Sequence, residues 1–490
     1  MLNRTGSRNI RDLLRSSPRI SRRAFSKLSL ATLGSALSGP LASAVASDTG
    51  SQDGSDYDLI VIGGGISGLF LAWLQRHRTV IVLERAQQPG GRIISGQWEG
   101  FDYAKGMEYI GPPEADVAVW FNALGLSPIT VPPPTDAIAY QSQLYHGQNI
   151  LDFLGSEIDD FWELETLLAD YDDQGIPDLV YDEPGNVGQF ADLDNQYVTE
   201  WLNANGFGPI LQQYIDIENR GLFGSNNNDL SFFYNIAEWV YNLPDPDEQN
   251  ISDVYTFPRG MIEVVETLMG VLSTRVQKGA QVTSVEVDND DMVTVNYNQH
   301  GQDKTVKGRA AVLTTPAPIT ASIVVNGLHQ TVIQALQSVF YSSYVTLNLF
   351  TSERLLSDYW AIASLDDYFV SVYDSIRTQV PLDYTGKSIL GVYLVPQFAS
   401  DPTLFLTPDA QILEQSLVSL EKYYPTIRQK VLGHDIHRFG HAYPVFGKNY
   451  HTILGTLHNH PSVWGPLFLA GDYMVYPTFE EALKAMGYIN

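Results

Sequence analysis

Apolar residues follow two rhythms along this chain. Leu59-Ile60-Val61-Ile62 is an unbroken apolar run, which predicts a short strand buried on both faces. A few residues later Ile66, Leu69, Phe70, Trp73 and Leu74 recur at i, i+3, i+4, i+7 and i+8, the stripe of a helix that buries one side. Val80 to Leu83 is a second strand-like run, ending in Glu84. Further on, Val293, Val295 and Tyr297 alternate with polar residues, so Gln281 to Val287 and Met292 to Tyr297 predict a hairpin. Ala310 to Leu313 closes that region as a buried strand turning at Thr314-Thr315-Pro316, and Leu467 to Ala470 predicts another strand. Thr478 with Glu481 forms a capping box, and Phe479, Ala482, Leu483 and Met486 share a face of the helix it would start. The alternation of strand, helix and strand points to an α/β fold with a Rossmann-like dinucleotide domain.

Gly63, Gly65 and Gly68 fall between the first strand and the first helix. There Gly63 permits the tight turn, Gly65 lets a pyrophosphate approach the backbone, and Gly68 lets the helix pack closely on the strand. Ile66 and Ser67 begin the helix, whose N-terminal N–H groups favour an anion. Glu84 follows Gly63 by 21 residues, the spacing of a carboxylate that accepts from an adenosine ribose, and Arg85 comes next. Gln88-Pro89-Gly90-Gly91-Arg92 then brings flexible backbone and a cation, Gly91 and Arg92, against a second phosphate or a ring. Together these predict a dinucleotide site.

Composition narrows the partners. The chain holds 56 acidic and 29 basic residues, a net charge of −27. Nucleic acid is a poor partner for such a surface, and so is an anionic membrane face. The chain has no cysteine, which excludes disulfides, thiolate catalysis and a flavin attached through cysteine. Its length exceeds one typical core, so two domains are expected.

The first 46 residues read as targeting. Seven arginines precede Ala24, two of them side by side in Ser21-Arg22-Arg23-Ala24-Phe25-Ser26-Lys27. The weakly apolar run from Ala24 to Val45 is interrupted by Gly34, Gly39 and Pro40, too broken for a membrane anchor, and ends at Ala44-Val45-Ala46. This predicts a cleaved twin-arginine signal read by the Tat translocase, which moves folded cargo. The expected location is periplasmic or secreted, with residues 47–56 as a flexible leader.

From Asp56 to Asn490 the motifs resemble the flavin-containing amine oxidase superfamily of monoamine, polyamine, L-amino-acid and protoporphyrinogen oxidases. The resemblance implies FAD as the cofactor. It implies an FAD domain from 57–112, 255–330 and 434–490, and a discontinuous α+β substrate domain from 113–254 and 331–433. Lys105 to Pro112 looks like the segment beside the flavin ring, with Gly106, Met107 and Glu108 as contacts. Phe257-Pro258-Arg259-Gly260-Met261 resembles the re-entry into the FAD domain, and Val282 the adenine contact. Gly471-Asp472 is placed to hold a ribityl hydroxyl, and the helix starting near Phe479 and Glu480 to aim its N-terminus at the flavin.

For the chemistry, the family flanks the substrate nitrogen with two aromatic rings, and Tyr443 and Phe479 match those positions. Many family members carry a lysine near the flavin in a Tyr-x-Lys strand; here Tyr344-Val345-Thr346 puts Thr346 in its place. Met107-Glu108-Tyr109 contains no arginine for a substrate carboxylate, leaving Arg259 or Arg438 as substitutes or as structural ion-pair residues. His434, His437 and His441 would share a face if helical, but Gly433, Gly440 and Pro444 argue for broken structure, and no metal site is expected. The leading expectation is oxidative deamination of an amine with O2, giving H2O2. The alternatives are a dehydrogenase or desaturase of an apolar substrate, an L-amino-acid oxidase, and a flavin-binding protein that has lost catalysis.

Overall fold

The structure is a computed structural model that describes residues 55–113, 115–176, 187–241, 254–476, 479, 482 and 483. The twin-arginine segment, nearly all of the leader, the Thr478–Glu481 capping box, Glu480 and Met486 lie outside the described residues. Among the described residues no helix is long and apolar enough to cross a membrane.

Two seven-stranded sheets organise the chain. In the first, β1 (Tyr57–Ile62) lies between β2 (Val80–Glu84) and the long β5 (Gln302–Leu313), parallel to both. The hairpin of β3 (Ala280–Val287) and β4 (Val293–Gln299) joins antiparallel to β5, with Val285 opposite Val295. Residues Leu467–Leu469 add a parallel strand along the far half of β5. Leu59 to Ile62 are each at most 2% exposed, as a strand covered on both faces requires. Helix α1 (Ile66–Leu74) packs over this sheet, burying Leu69, Phe70 and Trp73. These elements are the ones the apolar rhythm predicts.

The second sheet runs from the edge strand β9 (Val431–Pro444) through β6 (Tyr341–Thr351), β8 (Ser388–Leu394), β7 (Ser371–Asp374) and Ala361–Ser364 to the pair Asp136–Tyr140 and Gln143–His146. Here the structure differs from the expected division. Residue 434 is not a boundary, because β9 crosses it as one strand paired with β6 from Val431 to Pro444. Nor is the stretch broken at its glycines. Aromatic rings cover both, Phe350 against Gly433 and Phe405 against Gly440, and compensate for the missing side chains. His434 and His437 sit three apart in a strand and so point to opposite faces.

Helix α3 (Tyr450–Asn459) is tied to the segment after Gly471 through His458, whose imidazole hydrogen-bonds the Met474 carbonyl. Burial holds His458 down at about 4 against an ordinary 6.5. The unfolded chain therefore takes up this proton at higher pH than the folded one. Its contribution is full above pH 6.5 and falls as pH drops towards 4. The loss approaches roughly 3 kcal/mol. Urea unfolding across that window should show the decline, and a His458→Gln variant should flatten it. A variant with the wild-type slope would remove His458 as the cause.

Candidate active site

The site begins where β1 turns into α1. Gly63 takes φ +113°, which a side chain rarely adopts, while Thr314 Oγ1 donates to the Ile62 or Gly63 carbonyl at 3.0 Å. A Cβ on Gly68 would lie 2.0 Å from the Gly63 carbonyl oxygen, so only glycine lets the helix approach the strand this closely. A Cβ on Gly65 would meet nothing nearer than the Gly91 Cα, at 3.9 Å. Gly65 caps α1 with no side-chain hydrogen bond, and the first turn carries no acid. The N–H groups of Ile66 and Ser67 thus begin a helix whose positive end no side chain answers.

Gly90 N–H donates to the Gly64 carbonyl at 2.8 Å, which draws the second glycine pair against the first. Glu84, at the end of β2, accepts from Gly64 N–H and from Ala86 N–H, both at 2.6 Å. Each carboxylate oxygen keeps a lone pair for a hydroxyl donor. Arg85 beside it is exposed; the pKa of His441 is lowered first by burial and then by the Arg85 charge. Val282 lies half-buried on β3, beside a register shift.

Arg92 follows the glycines and meets Asp472 in an ion pair, also donating to the Ala442 carbonyl. Asp472 is held by Gly471 at φ +138° and takes Tyr473 N–H on its other oxygen. Met107 N–H donates to the Arg92 carbonyl at 3.0 Å, and a Cβ on Gly106 would strike that same oxygen. Nine of the residues selected from the sequence therefore form one continuous path: Gly63, Gly65, Gly68, Glu84, Gly91, Arg92, Gly106, Met107 and Asp472. An open helix terminus, a glycine cradle with room at Gly65, a ribose-type carboxylate and a half-exposed cation, Arg92, fit an extended dinucleotide diphosphate.

The second sheet lies over the segment that follows. Thr346 Oγ1 donates to the Lys105 carbonyl at 2.7 Å, and Asn348 donates to the Ala104 carbonyl. Tyr393 Oη donates either to the Gly106 carbonyl at 2.8 Å or to Glu108 Oε2 at 2.9 Å. Lys105 itself turns its ammonium to Asp435, 2.8 Å away. Thr346 corrects one expectation. It is 0% exposed with its hydroxyl bonded to backbone, so no substrate atom reaches it, and it positions the 104–108 segment instead.

Each ring of the expected aromatic pair has a neighbour of its own. Tyr443 stands against Tyr344, ring centres 5.9 Å apart, and keeps exposed surface. Phe479 packs on Phe121 in the main core and is 6% exposed. Tyr443 instead opens a chain of rings through Tyr344, Tyr393 and Tyr373 to Tyr109 and Trp360. Sequence reasoning missed this cluster; its members come from four separate strands and loops with no shared motif. Arg259 pairs with Glu266 and Asp102, and Arg438 with Asp409, so both serve ion pairs.

The sequence pattern described as flavin containing amine oxidoreductase matches residues 66–485. Bovine flavin-containing amine oxidase A is 39% identical over 79 residues, a stretch that is 16% of this chain and only 15% of the bovine protein. Wild-type putrescine oxidase bound to putrescine superposes with a TM-score of 0.69 at 16% identity, over 88% of this chain and 98% of that one. Cyclohexylamine oxidase from Brevibacterium oxydans IH-35A gives 0.68 at 17% identity, over 89% and 97%. At such identities the superpositions speak to the fold, and it is the amine oxidase FAD-binding fold. With the pattern match spanning most of its length, the chain belongs to the flavin-containing amine oxidoreductase family and is an FAD-dependent oxidoreductase.

Proposed function

We propose that the protein oxidises an amine at the carbon next to nitrogen, giving an imine that hydrolyses to an aldehyde, with O2 as electron acceptor and H2O2 as product. The observation that carries this reading is the ring cluster from Tyr443 to Trp360, set over the 104–108 segment and enclosing the carboxylate of Glu108. Aromatic faces and one anion suit an alkylammonium. They do not suit a substrate carboxylate, which calls for a two-pronged arginine. Bound FAD supplies the two-electron acceptor. The chain's own part is to hold the diphosphate at Gly65 and Gly91, to pair Arg92 with Asp472, and to keep the substrate among rings away from water.

The test is an anaerobic titration of the visible flavin band with amines and L-amino acids. Bleaching by one amine class supports the reading, and bleaching by amino acids alone overturns it. A second reading, dehydrogenation of an apolar substrate, draws on Thr346, which stands where many relatives carry lysine. Flavin reduced by substrate but not reoxidised by O2 would favour it.

We further propose export in the folded, flavin-loaded state, supported by Arg22-Arg23 ahead of the broken apolar run. Replacing both arginines with lysine should leave precursor in the cytoplasm with its flavin bound. Fractionation that finds the variant exported normally would end the twin-arginine proposal.

A further inference from the structure

Glu108 is a half-buried acid that, among the described residues, no cation answers. Among the described residues its charged neighbour is Asp374, of the same sign. Its one side-chain hydrogen bond comes from Tyr393. Tyr373 and Asp374 lie near it on β7, Tyr393 on β8, and Tyr109 follows it in the chain. Tyr344 on β6 closes the ring cluster, and behind it lies Arg220 of α2 (Pro209–Phe223), whose own electrostatic partner is Asp216. The charge of Asp374 is taken up by Arg354.

Depth and accessibility coincide here. Removal from water pushes the Glu108 carboxyl up to about 7. Yet Glu108, Tyr109, Tyr373 and Tyr443 all keep exposed surface. What these side chains present to that surface is ring faces and one anion.

We propose that Glu108 binds the ammonium of the substrate within this ring cluster and takes a proton from it, delivering the free amine. The inference rests on the amine reading above. The step moves one proton: an N–H bond of R–NH3+ breaks, an O–H bond forms on Glu108, and the N–H electron pair stays on nitrogen as the lone pair. Nothing is oxidised or reduced. Among apolar rings a neutral amine and a neutral acid are favoured over two desolvated charges, which drives the transfer. The protonated amine resists hydride loss, so the step must precede oxidation.

Two probes separate the site from the reaction. tert-Butylamine carries no hydrogen on the carbon next to nitrogen, so it binds without being oxidised there. Calorimetry on the flavin-loaded wild type should show its affinity rising as pH increases through about 7. Glu108→Gln should bind it about 10- to 100-fold more weakly above that pH, with the dependence gone. A wild type that does not bind it, or a Gln variant with the wild-type profile, overturns the proposal. Benzylamine tests the reaction by anaerobic flavin bleaching. Glu108→Gln should lower the rate by roughly 10²- to 10⁴-fold at equal flavin content. Tyr393→Phe should move the acid limb to higher pH, because that hydroxyl holds the carboxyl down; an unmoved limb counts against the assignment. If tert-butylamine binds as expected while no amine bleaches the flavin, it is the amine oxidation reading that falls.

Discussion

Gly65→Glu should empty the protein of flavin and leave it folded. A Cβ there meets nothing nearer than the Gly91 Cα, at 3.9 Å, so the backbone accommodates the start of a side chain. What it obstructs is the approach of the diphosphate to the start of α1, and its carboxylate sets like charge against like. Such a juxtaposition costs about 3 kcal/mol or more, a loss of roughly 100-fold or more in affinity. Gly65→Glu should purify colourless with a wild-type circular dichroism spectrum. Gly68→Ala should do the reverse, since its Cβ falls 2.0 Å from a backbone oxygen and helix and strand must part. It should unfold more easily by roughly 1–3 kcal/mol whatever its flavin content. A Gly65→Glu protein that stays yellow would show that the diphosphate does not lie on this helix.

Asp374→Ala should be among the most damaging substitutions to stability. Arg354 donates Nε and Nη2 to Asp374 Oδ2, at 2.9 and 2.6 Å, and both side chains are sealed from solvent at 1% and 0% exposure. Its remaining nitrogen holds the Pro381 and Leu382 carbonyls. Burial pushes the Asp374 carboxyl up, while Arg354 and Arg377 pull it back towards the ionised form. Removing the carboxylate strands a guanidinium in the interior, at a cost of roughly 3–5 kcal/mol. The urea midpoint should fall accordingly. A joint Arg354→Met and Asp374→Leu replacement removes both charges and should recover much of the loss. A double variant no more stable than Asp374→Ala would mean that packing around the pair, not the uncompensated charge, sets the cost.

The parts of this molecule that sequence makes legible are those set by neighbours along the chain. The glycine turn, α1, Glu84 and the β3–β4 hairpin follow from spacing alone, and each stands where the spacing puts it. Arg92 and Asp472 belong to separate motifs and meet. The misreadings share a cause, in that tertiary contacts override a local signal. Gly433 and Gly440 look like breakers until Phe350 and Phe405 cover them. Thr346 looks like a displaced lysine until its hydroxyl is found on the Lys105 carbonyl. Tyr373 and Tyr393 carried no signal, because a tyrosine in a strand reads the same whether it faces a ligand or a core.

The Arg92–Asp472 pair spans 380 residues of chain. When a ribosome has finished the glycine cradle, the carboxylate that completes its far end has not yet been made. The far end of the cradle therefore closes only after the chain between the two residues has been made and folded back. Retention of the flavin becomes a gauge of long-range folding, where the glycine turn by itself would report only on its own neighbourhood.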